Sequence, residues 1–438
     1  MADALTTCAA AGRGISTIPF WWEDAPPEPS PDPLPETTDV VVVGGGFTGL
    51  NAAIALCRGG MDVTVLEATD FGRGASTRNA GHVSSGVNLG KGSSSAVRSP
   101  MERTLAPDLL AAVRAEAAAS FDFLEARVGE LPLDAFYRRS GRFVGAVSKR
   151  HYDGLGEKAE RLGGYLVARA EQTREIGSTA YRGGMVIPRS GQLHPARYMH
   201  GLVALARAEG AALVSGAAAE SIERKGAALV IRTARGPIRC KDVLIATNGY
   251  TGMLLPWLRR RVIPAASYIV VTEPLPAGLM DRLLPKRRTY ADTRRLLNYF
   301  RPTPDGRRLL FGGRATLRQR DPASVAEDLR DRLVAIFPEL EAVSISHAWT
   351  GTIAFTFDFM PHLGRRDGIA YALGCNGSGV AMLSYLGHRA GEAMLRRPPS
   401  AFWNLDFPTA PLYRQTPWFL PLMSGYQRVR DWLDTRQG

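Results

Sequence analysis

The stretch Asp39–Gly49 reads DVVVVGGGFTG. Four consecutive valines, Val40 to Val43, have the signature of a strand buried on both faces. Gly44, Gly46 and Gly49 follow with the spacing G-x-G-x-x-G, and LNAAIALCRGG continues as a helix. In that pattern the first glycine permits a tight turn. The second lets backbone approach a pyrophosphate, and the third lets helix pack on strand. The helix N-terminus, at Phe47 and Thr48, turns free N–H groups and the positive end of its dipole toward phosphate. A second strand, Asp62 to Leu66, runs into Glu67, eighteen residues past Gly49. A carboxylate there is placed to accept hydrogen bonds from ribose hydroxyls. The glycines alone could be an ordinary turn. Strand, glycines, helix, strand and acid in this order point to a dinucleotide.

The chain has 438 residues, which favours two domains over one core. Its 45% hydrophobic and 22% charged content is that of a globular protein. No apolar run reaches membrane-spanning length, and no basic region with an apolar core opens the chain. The four cysteines, Cys8, Cys57, Cys240 and Cys375, are scattered without a C-x-x-C pair. Cys57 in the first helix and Cys240 before a strand read as small buried side chains. No disulfide, structural zinc or other metal is expected, which fits a reducing cytoplasm. The net charge is +12 and the pI near 9.8. The excess is mostly arginine, spread along the chain. It suits anionic substrates, acidic partners or a membrane surface better than nucleic acid, for which no basic cluster interleaved with aromatics is present.

Taken in order, Met1 to about Thr17 is small and polar and reads as disordered. Phe20, Trp21 and Trp22 are too apolar to float and should dock on the body. Asp24 to Thr37 carries six prolines and reads as a stiff lead. The Gly-, Ser- and Asn-rich loop after Glu67 is placed to wrap the cofactor. Lys91–Ser99 reads as mobile. Leu105–Val128 is helical, Tyr137–Val147 a strand pair, Tyr152–Leu166 a helix, and Pro195–Glu209 a helix. Buried strands return and end at Ala246–Gly249, as in a discontinuous nucleotide domain. Ile263–Thr272 and Leu297–Gly313 suggest a second, antiparallel sheet with a hairpin at TPDG. Strand, glycine turn and helix close the sequence, and that helix aims the amides of Ser378, Gly379 and Val380 at something anionic.

Together GGGFTGL, VTVLEA, GRGASTRNAGH, VLIATNGYT, WTGTIAFTFDFMPHLG and GCNGSGVA resemble the D-amino-acid oxidase superfamily of FAD oxidoreductases. The nearest branch resembles the gamma-glutamylputrescine oxidase type. The resemblance covers about residues 18 to 400. It implies an α/β fold: a discontinuous Rossmann-like FAD domain over 38–130, 195–262 and 346–400, with an antiparallel-sheet substrate domain over 131–194 and 263–345. The N-terminal lead is then 1–37, and 401–438 is a tail packing on the body.

The resemblance places Gly44, Gly46, Phe47, Thr48, Gly49 and Glu67 at the ADP half of FAD. Ala75, Ser76, Arg78, Asn79, Ala80 and Gly81 fall at the pyrophosphate and flavin, Ala219 at the adenine, and Thr247 near the pyrophosphate. Gly377, Ser378, Gly379 and Val380 fall at the flavin's pyrimidine edge, where amides would stabilise negative charge. Three departures carry information. Ile353 stands where relatives clamp a substrate carboxylate with arginine, and isoleucine cannot form that bidentate contact. Gly351 and Arg78 stand where other relatives attach flavin covalently, so non-covalent FAD is expected. Leu310 replaces a lysine implicated in oxygen activation.

The implied reaction is FAD-dependent oxidation of an amine C–N bond by hydride transfer, giving an imine that hydrolyses to an aldehyde. The substrate would be a primary or secondary amine such as an acylated polyamine, with oxygen or another electron acceptor. An oxidase or dehydrogenase of an N-alkyl, cyclic or D-amino acid is the alternative. An electron-transferring flavoprotein subunit with a protein partner is a third reading, motivated by the apolar tail and by Leu310. Candidate substrate-side residues are His82, Tyr299, Arg301 and Trp349, with Phe300, Phe355 and Arg314 beside them. Core packing of the aromatics and surface ion pairing of the arginines are the bland alternatives. Ile353, Phe355, Phe357 and Phe359 alternate as the buried face of a strand. His347 and His362 read as structural, and Asp358 as a turn residue.

Overall fold

The structure is a computed structural model, and it describes residues 14–84, 105–313, 320–411, 413 and 417–436. The expected disorder of residues 1–13, the mobility of Lys91–Ser99, and Cys8 and Arg314 lie outside these residues.

The valine run forms the strand Thr37–Val43, central in an eight-stranded sheet. It pairs in parallel with Val63–Leu66 on one side and Gly236–Ile245 on the other. Ala212–Val214 and Ile369–Leu373 extend the parallel array, and His362–Arg366 closes one edge antiparallel. Val40 to Val43 are at most 5% exposed, as a central strand covered on both faces requires. The helices Phe47–Arg58, Pro195–Ala208 and Gly379–Met394 contribute to one core against this sheet. Cys240 lies inside the strand 236–245, and Cys57 is half-buried with its thiol pushed up to about 11 by burial.

The second sheet also has eight strands, in the order 345–355, 263–272, 309–313, 298–302, 289–292, 142–145, 184–187, 165–167. All its pairings are antiparallel except that of Thr289–Asp292 with Arg142–Gly145. The helix Pro322–Ile336 packs on it through Val325, Leu329 and Leu333. The hairpin expected at TPDG joins Asn298–Pro302 to Leu309–Gly313. A two-stranded ribbon, His82–Ser84 with Ser190–Gln192, lies outside both sheets.

Several local readings differ from the structure. Ile345–Phe355 bonds to Ile263–Thr272 along its length, so residues 346–355 lie in the second sheet, and the chain returns to the first only at His362. Phe357 and Phe359 lie past the end of this strand, where Ala354, not Phe355, is fully buried. Tyr152–Leu166 is not one helix: the short helices Lys149–Asp153 and Gly156–Arg161 are split by Gly154, and a strand starts at Tyr165. Tyr137–Val147 holds one strand, Arg142–Gly145, preceded by an isolated bridge from Arg138 to Gln192. Ser16 is ordered by backbone bonds to Ser346 and Ala348.

The tail packs on the body through Phe402, Phe407 and Tyr413, and Phe407 stacks on His362 at 3.7 Å. It ends in an unforeseen helix, Leu420–Arg436, held by Asp431 and Asp434 on Arg295, with Leu422, Tyr426, Val429 and Leu433 exposed. Among the described residues no helix is long and apolar enough to cross a membrane. No group of three His, Cys, Asp or Glu side chains among them converges as a metal site would.

Candidate functional site

The glycine turn is built as its spacing predicts. Gly44 has φ +108°, which disfavours any side chain. A Cβ on Gly49 would stand 1.9 Å from the Gly44 carbonyl oxygen, so the helix sits directly against the turn. A Cβ on Gly44 would meet the Ala246 carbonyl at 2.9 Å and the Thr247 nitrogen at 3.3 Å, which brings Thr247 beside the turn. Glu67 is half-buried at the end of the second strand and accepts the Gly45 N–H at 3.0 Å and the Thr69 N–H at 3.2 Å. Burial raises its pKa despite these donors. Ala217 donates its N–H to the Glu67 carbonyl, and the chain passes into the strand Ala219–Lys225 two residues on.

The loop after Glu67 folds onto the same helix terminus. Ala75–Thr77 form a single 3-10 turn, and the Ser76 hydroxyl accepts the Phe47 N–H at 3.2 Å. Asn79 closes the loop on itself, donating to the Ser76 carbonyl and accepting the Gly81 N–H. Arg78 donates to the Arg73 and Thr350 carbonyls, and its guanidinium lies 4.6 Å over the Trp22 ring. Burial lowers its pKa, and its side chain makes no ion pair with a carboxylate among the described residues.

Asn248 accepts the Gly374 N–H at 3.0 Å, tying the Thr247 turn to the turn that precedes Gly377. The helix Gly379–Met394 starts there with Ser378 as its N-cap. Two helix N-termini, a half-buried carboxylate and an arginine with no ion pair among the described residues therefore share one region. This donor set fits an extended dinucleotide with an anionic pyrophosphate.

The second sheet meets this region through a few side chains. Tyr299 and Ser267 are hydroxyl to hydroxyl at 3.1 Å, and His82 sits edge-on to Tyr299 at 5.7 Å between ring centres. Sequence reasoning missed Ser267, which only strand pairing with Gly351 brings here. Ile353 pairs with Ala265 on the same strands and is half-buried.

Two expected substrate-side residues do other work. Trp349 is 0% exposed, and its indole N–H donates to the Arg78 carbonyl at 3.0 Å. Arg301 is 1% exposed, and it donates to the carbonyls of Ala80, Gly81, Leu193 and Pro302. Among the described residues it forms no ion pair, and its Nε and Nη1 are spent on these carbonyls. Both residues hold the loop from strands of the second sheet. Phe300 is likewise core, stacked on Tyr290 at 5.3 Å. His347 pairs with Glu23 at 2.9 Å, and His362 with Asp358, whose carboxylate also accepts the Met360 N–H in its turn.

The family model described as FAD dependent oxidoreductase (DAO) matches residues 39–393. The chain is 33% identical over 366 residues to gamma-glutamylputrescine oxidoreductase of Escherichia coli (strain K12), covering 82% of this chain and 84% of that one. It is 33% identical over 385 residues to the probable oxidoreductase OrdL of Rhizobium meliloti (strain 1021), covering 86% and 88%. Among solved structures it superposes on glycine oxidase from Geobacillus kaustophilus with a TM-score of 0.68. The identity there is 21%, over 84% of this chain and 96% of that one.

Proposed function

Because the chain belongs to the DAO family of FAD-dependent oxidoreductases, we propose that its substrate is an amine without an α-carboxylate, such as an acylated polyamine, and that the product is an aldehyde. The protein is an FAD-dependent enzyme of the amine and amino-acid oxidoreductase kind. The observation that carries the narrower reading is Arg301. A bidentate arginine is the strongest way to hold an α-amino acid by its carboxylate. Arg301 is committed through Nε and Nη1 to backbone carbonyls and is 1% exposed, and the family resemblance puts Ile353 at the clamp position. The similarity to gamma-glutamylputrescine oxidoreductase supports the same class.

Bound FAD supplies the acceptor for a hydride. The protein's task is to hold the amine neutral, aim its α-carbon and exclude water. The α C–H bond breaks with its electron pair leaving as hydride, and the nitrogen loses its proton. The resulting imine takes up water and splits to aldehyde and amine. Tyr299, Ser267 and His82 are the polar groups grouped on the second-sheet side. The half-buried Ile353 adds apolar surface there, which disfavours the protonated amine. Gly44, Gly46, Phe47, Thr48, Gly49, Glu67, Ala219 and Thr247 would hold the ADP half and pyrophosphate. Ala75, Ser76, Arg78, Asn79, Ala80, Gly81, Gly377, Ser378, Gly379 and Val380 would hold the flavin half. No bond to the flavin is needed, because neither Gly351 nor Arg78 offers a nucleophile.

The test is anaerobic stopped-flow bleaching of the flavin band. The panel holds gamma-glutamylputrescine, free polyamines, N-methyl and cyclic amino acids, and D-amino acids. Fast bleaching by a non-α-carboxylate amine is expected. Bleaching by amino acids alone would overturn the reading.

Leu310 motivates a second reading, in which the physiological electron acceptor is not oxygen. It is fully buried with Trp21 and Trp349, and it offers no cation at the position where relatives keep a lysine. Rapid reoxidation of the reduced protein by air would exclude this reading, and turnover with dyes but not with air would support it.

A further inference from the structure

Consecutive carbonyls of the loop 78–81 are each held by a donor from a distant part of the chain. Trp349 holds Arg78 at 3.0 Å, Trp21 holds Asn79 at 2.9 Å, and Arg301 holds Ala80 at 3.2 Å and Gly81 at 3.3 Å. Trp22 adds a bond from its indole N–H to the Thr77 hydroxyl at 2.9 Å and lies under the Arg78 guanidinium. Two of these donors come from the N-terminal lead, which lies outside both sheets. The lead is itself anchored. Trp21 is 0% exposed, edge-on to His194 at 4.8 Å, with Arg301 5.4 Å from its ring. Glu23 pairs with His347, and Asp24 with Arg197.

A trans peptide is planar, so a carbonyl fixed toward one side turns the N–H of the next residue to the other. Fixing the carbonyls of Arg78 and Asn79 on the sheet side therefore turns the N–H groups of Asn79 and Ala80 away from it. Neither N–H has a protein acceptor among the described residues, whereas the next one, on Gly81, bonds to the Asn79 side chain. Backbone donors open in a structured loop are met by water or by a ligand, and the family resemblance puts the flavin at this loop.

We propose that Trp21 and Trp22 are positioning residues for FAD. Trp21 fixes the orientation of the Ala80 amide and Trp22 braces the turn before it at Thr77, while Trp349 sets the Asn79 amide, so cofactor affinity depends in part on two indole N–H groups of the lead. This is independent of which amine is oxidised.

The test uses the full chain with Trp21→Phe and Trp22→Phe, which keep an aromatic ring and delete the donor, with the apoprotein midpoint reading the lost packing. The dissociation constant of FAD for the deflavinated protein is read from flavin fluorescence, beside the thermal midpoint of the same apoprotein. The flavin's midpoint potential and absorption fine structure are read in the reloaded form. One lost buried hydrogen bond should weaken FAD about tenfold for Trp21→Phe, which corresponds to ~1.4 kcal/mol. The loss should be smaller for the half-buried Trp22, and the absorption fine structure should blur. Should Trp21→Phe fail to fold, Thr77→Val removes the acceptor of Trp22 and must reproduce the Trp22→Phe loss of affinity. Unchanged FAD affinity and potential, with or without a lower apoprotein midpoint, would overturn the proposal and leave the lead a structural strap.

Discussion

Gly387 rests on the backbone of Thr48 so closely that a Cβ there would stand 2.0 Å from the Thr48 carbonyl oxygen. One turn further on, a Cβ on Gly391 would meet the Ala52 carbonyl at 2.9 Å. The helices Phe47–Arg58 and Gly379–Met394 thus cross with backbones in contact. Their N-termini, at Gly46 and Ser378, are the two amide-bearing ends proposed to meet the cofactor, and this crossing fixes the distance between them.

Gly387→Ala should therefore force the helices apart. Overpacking at a site with no flexible neighbour costs about 1–3 kcal/mol, and the obstructing atoms here are backbone. A thermal midpoint lower by several degrees is expected. The ratio of flavin to protein absorbance after purification should fall with it. A variant with wild-type midpoint and full flavin content would contradict the close crossing.

Arg301 makes a sharp distinction between two roles. As a substrate clamp, its loss would raise KM for anionic substrates selectively. As a loop clasp, its loss strands the carbonyls of Ala80 and Leu193, whereas that of Gly81 keeps the Leu193 N–H. Each unsatisfied buried group costs about 1–3 kcal/mol. Arg301→Met should lower stability and FAD content, and it should change kcat/KM for neutral and anionic amines by the same factor. Charge-selective loss across a substrate series would restore the clamp.

His194 caps the helix Pro195–Ala208, its Nδ1 accepting the Arg197 N–H at 3.2 Å. Burial pulls its pKa down to about 4, against the opposing pull of Asp24 at 3.5 Å. Burial prevails because the ring is almost fully enclosed and the Asp24 carboxylate is already engaged by Arg197. Between about pH 4 and 6.5 the unfolded chain then binds more protons at this ring than the native state does. Stability rises with pH across that window and is lost as the pH falls through it. A shift of this size is worth ~3 kcal/mol at most. His194→Asn keeps a capping acceptor and should flatten the slope in denaturant titrations at pH 4.5 and 7. An unchanged slope would place the acid sensitivity elsewhere.

What was legible in the sequence was what the chain encodes locally. Val40 to Gly49 sets strand, turn and helix within a dozen residues, and Glu67 follows at the spacing of one βαβ step. The roles of Arg301 and Trp349 were not legible. Each side chain acts on a loop more than 200 positions away in sequence, and nothing local separates a buried donor to carbonyls from a ligand contact. The Tyr152–Leu166 helix failed because glycines at 154, 156, 163 and 164 outweighed a weak helical period. Gly387 and Gly391 carried a readable signal, two glycines four apart on a helix face. Its meaning depended on a partner helix far earlier in the chain, at Thr48 and Ala52.

Glu67 joins apoprotein stability to cofactor affinity with opposite signs. Its carboxylate is raised in pKa because burial outweighs the N–H groups of Gly45 and Thr69. The native apoprotein therefore holds this proton at pH values where the unfolded chain has released it. Apoprotein stability should fall as pH rises above the ordinary carboxylate pKa of 4.5 and through the raised one. Bound FAD reverses the sign, because ribose hydroxyls would donate to the charged carboxylate, and such charge-assisted bonds are worth about 1.5–3 kcal/mol. FAD affinity should therefore increase with pH over that same window. Glu67→Gln keeps an acceptor oxygen for Gly45 but carries no charge. At neutral pH its apoprotein should unfold at a temperature equal to or above that of the wild type, while its FAD dissociation constant rises by about ten- to a hundredfold. The pH dependence of FAD binding should vanish with it. A Glu67→Gln apoprotein that is less stable yet binds FAD as tightly as wild type would make Glu67 a structural acceptor for the glycine turn and nothing more.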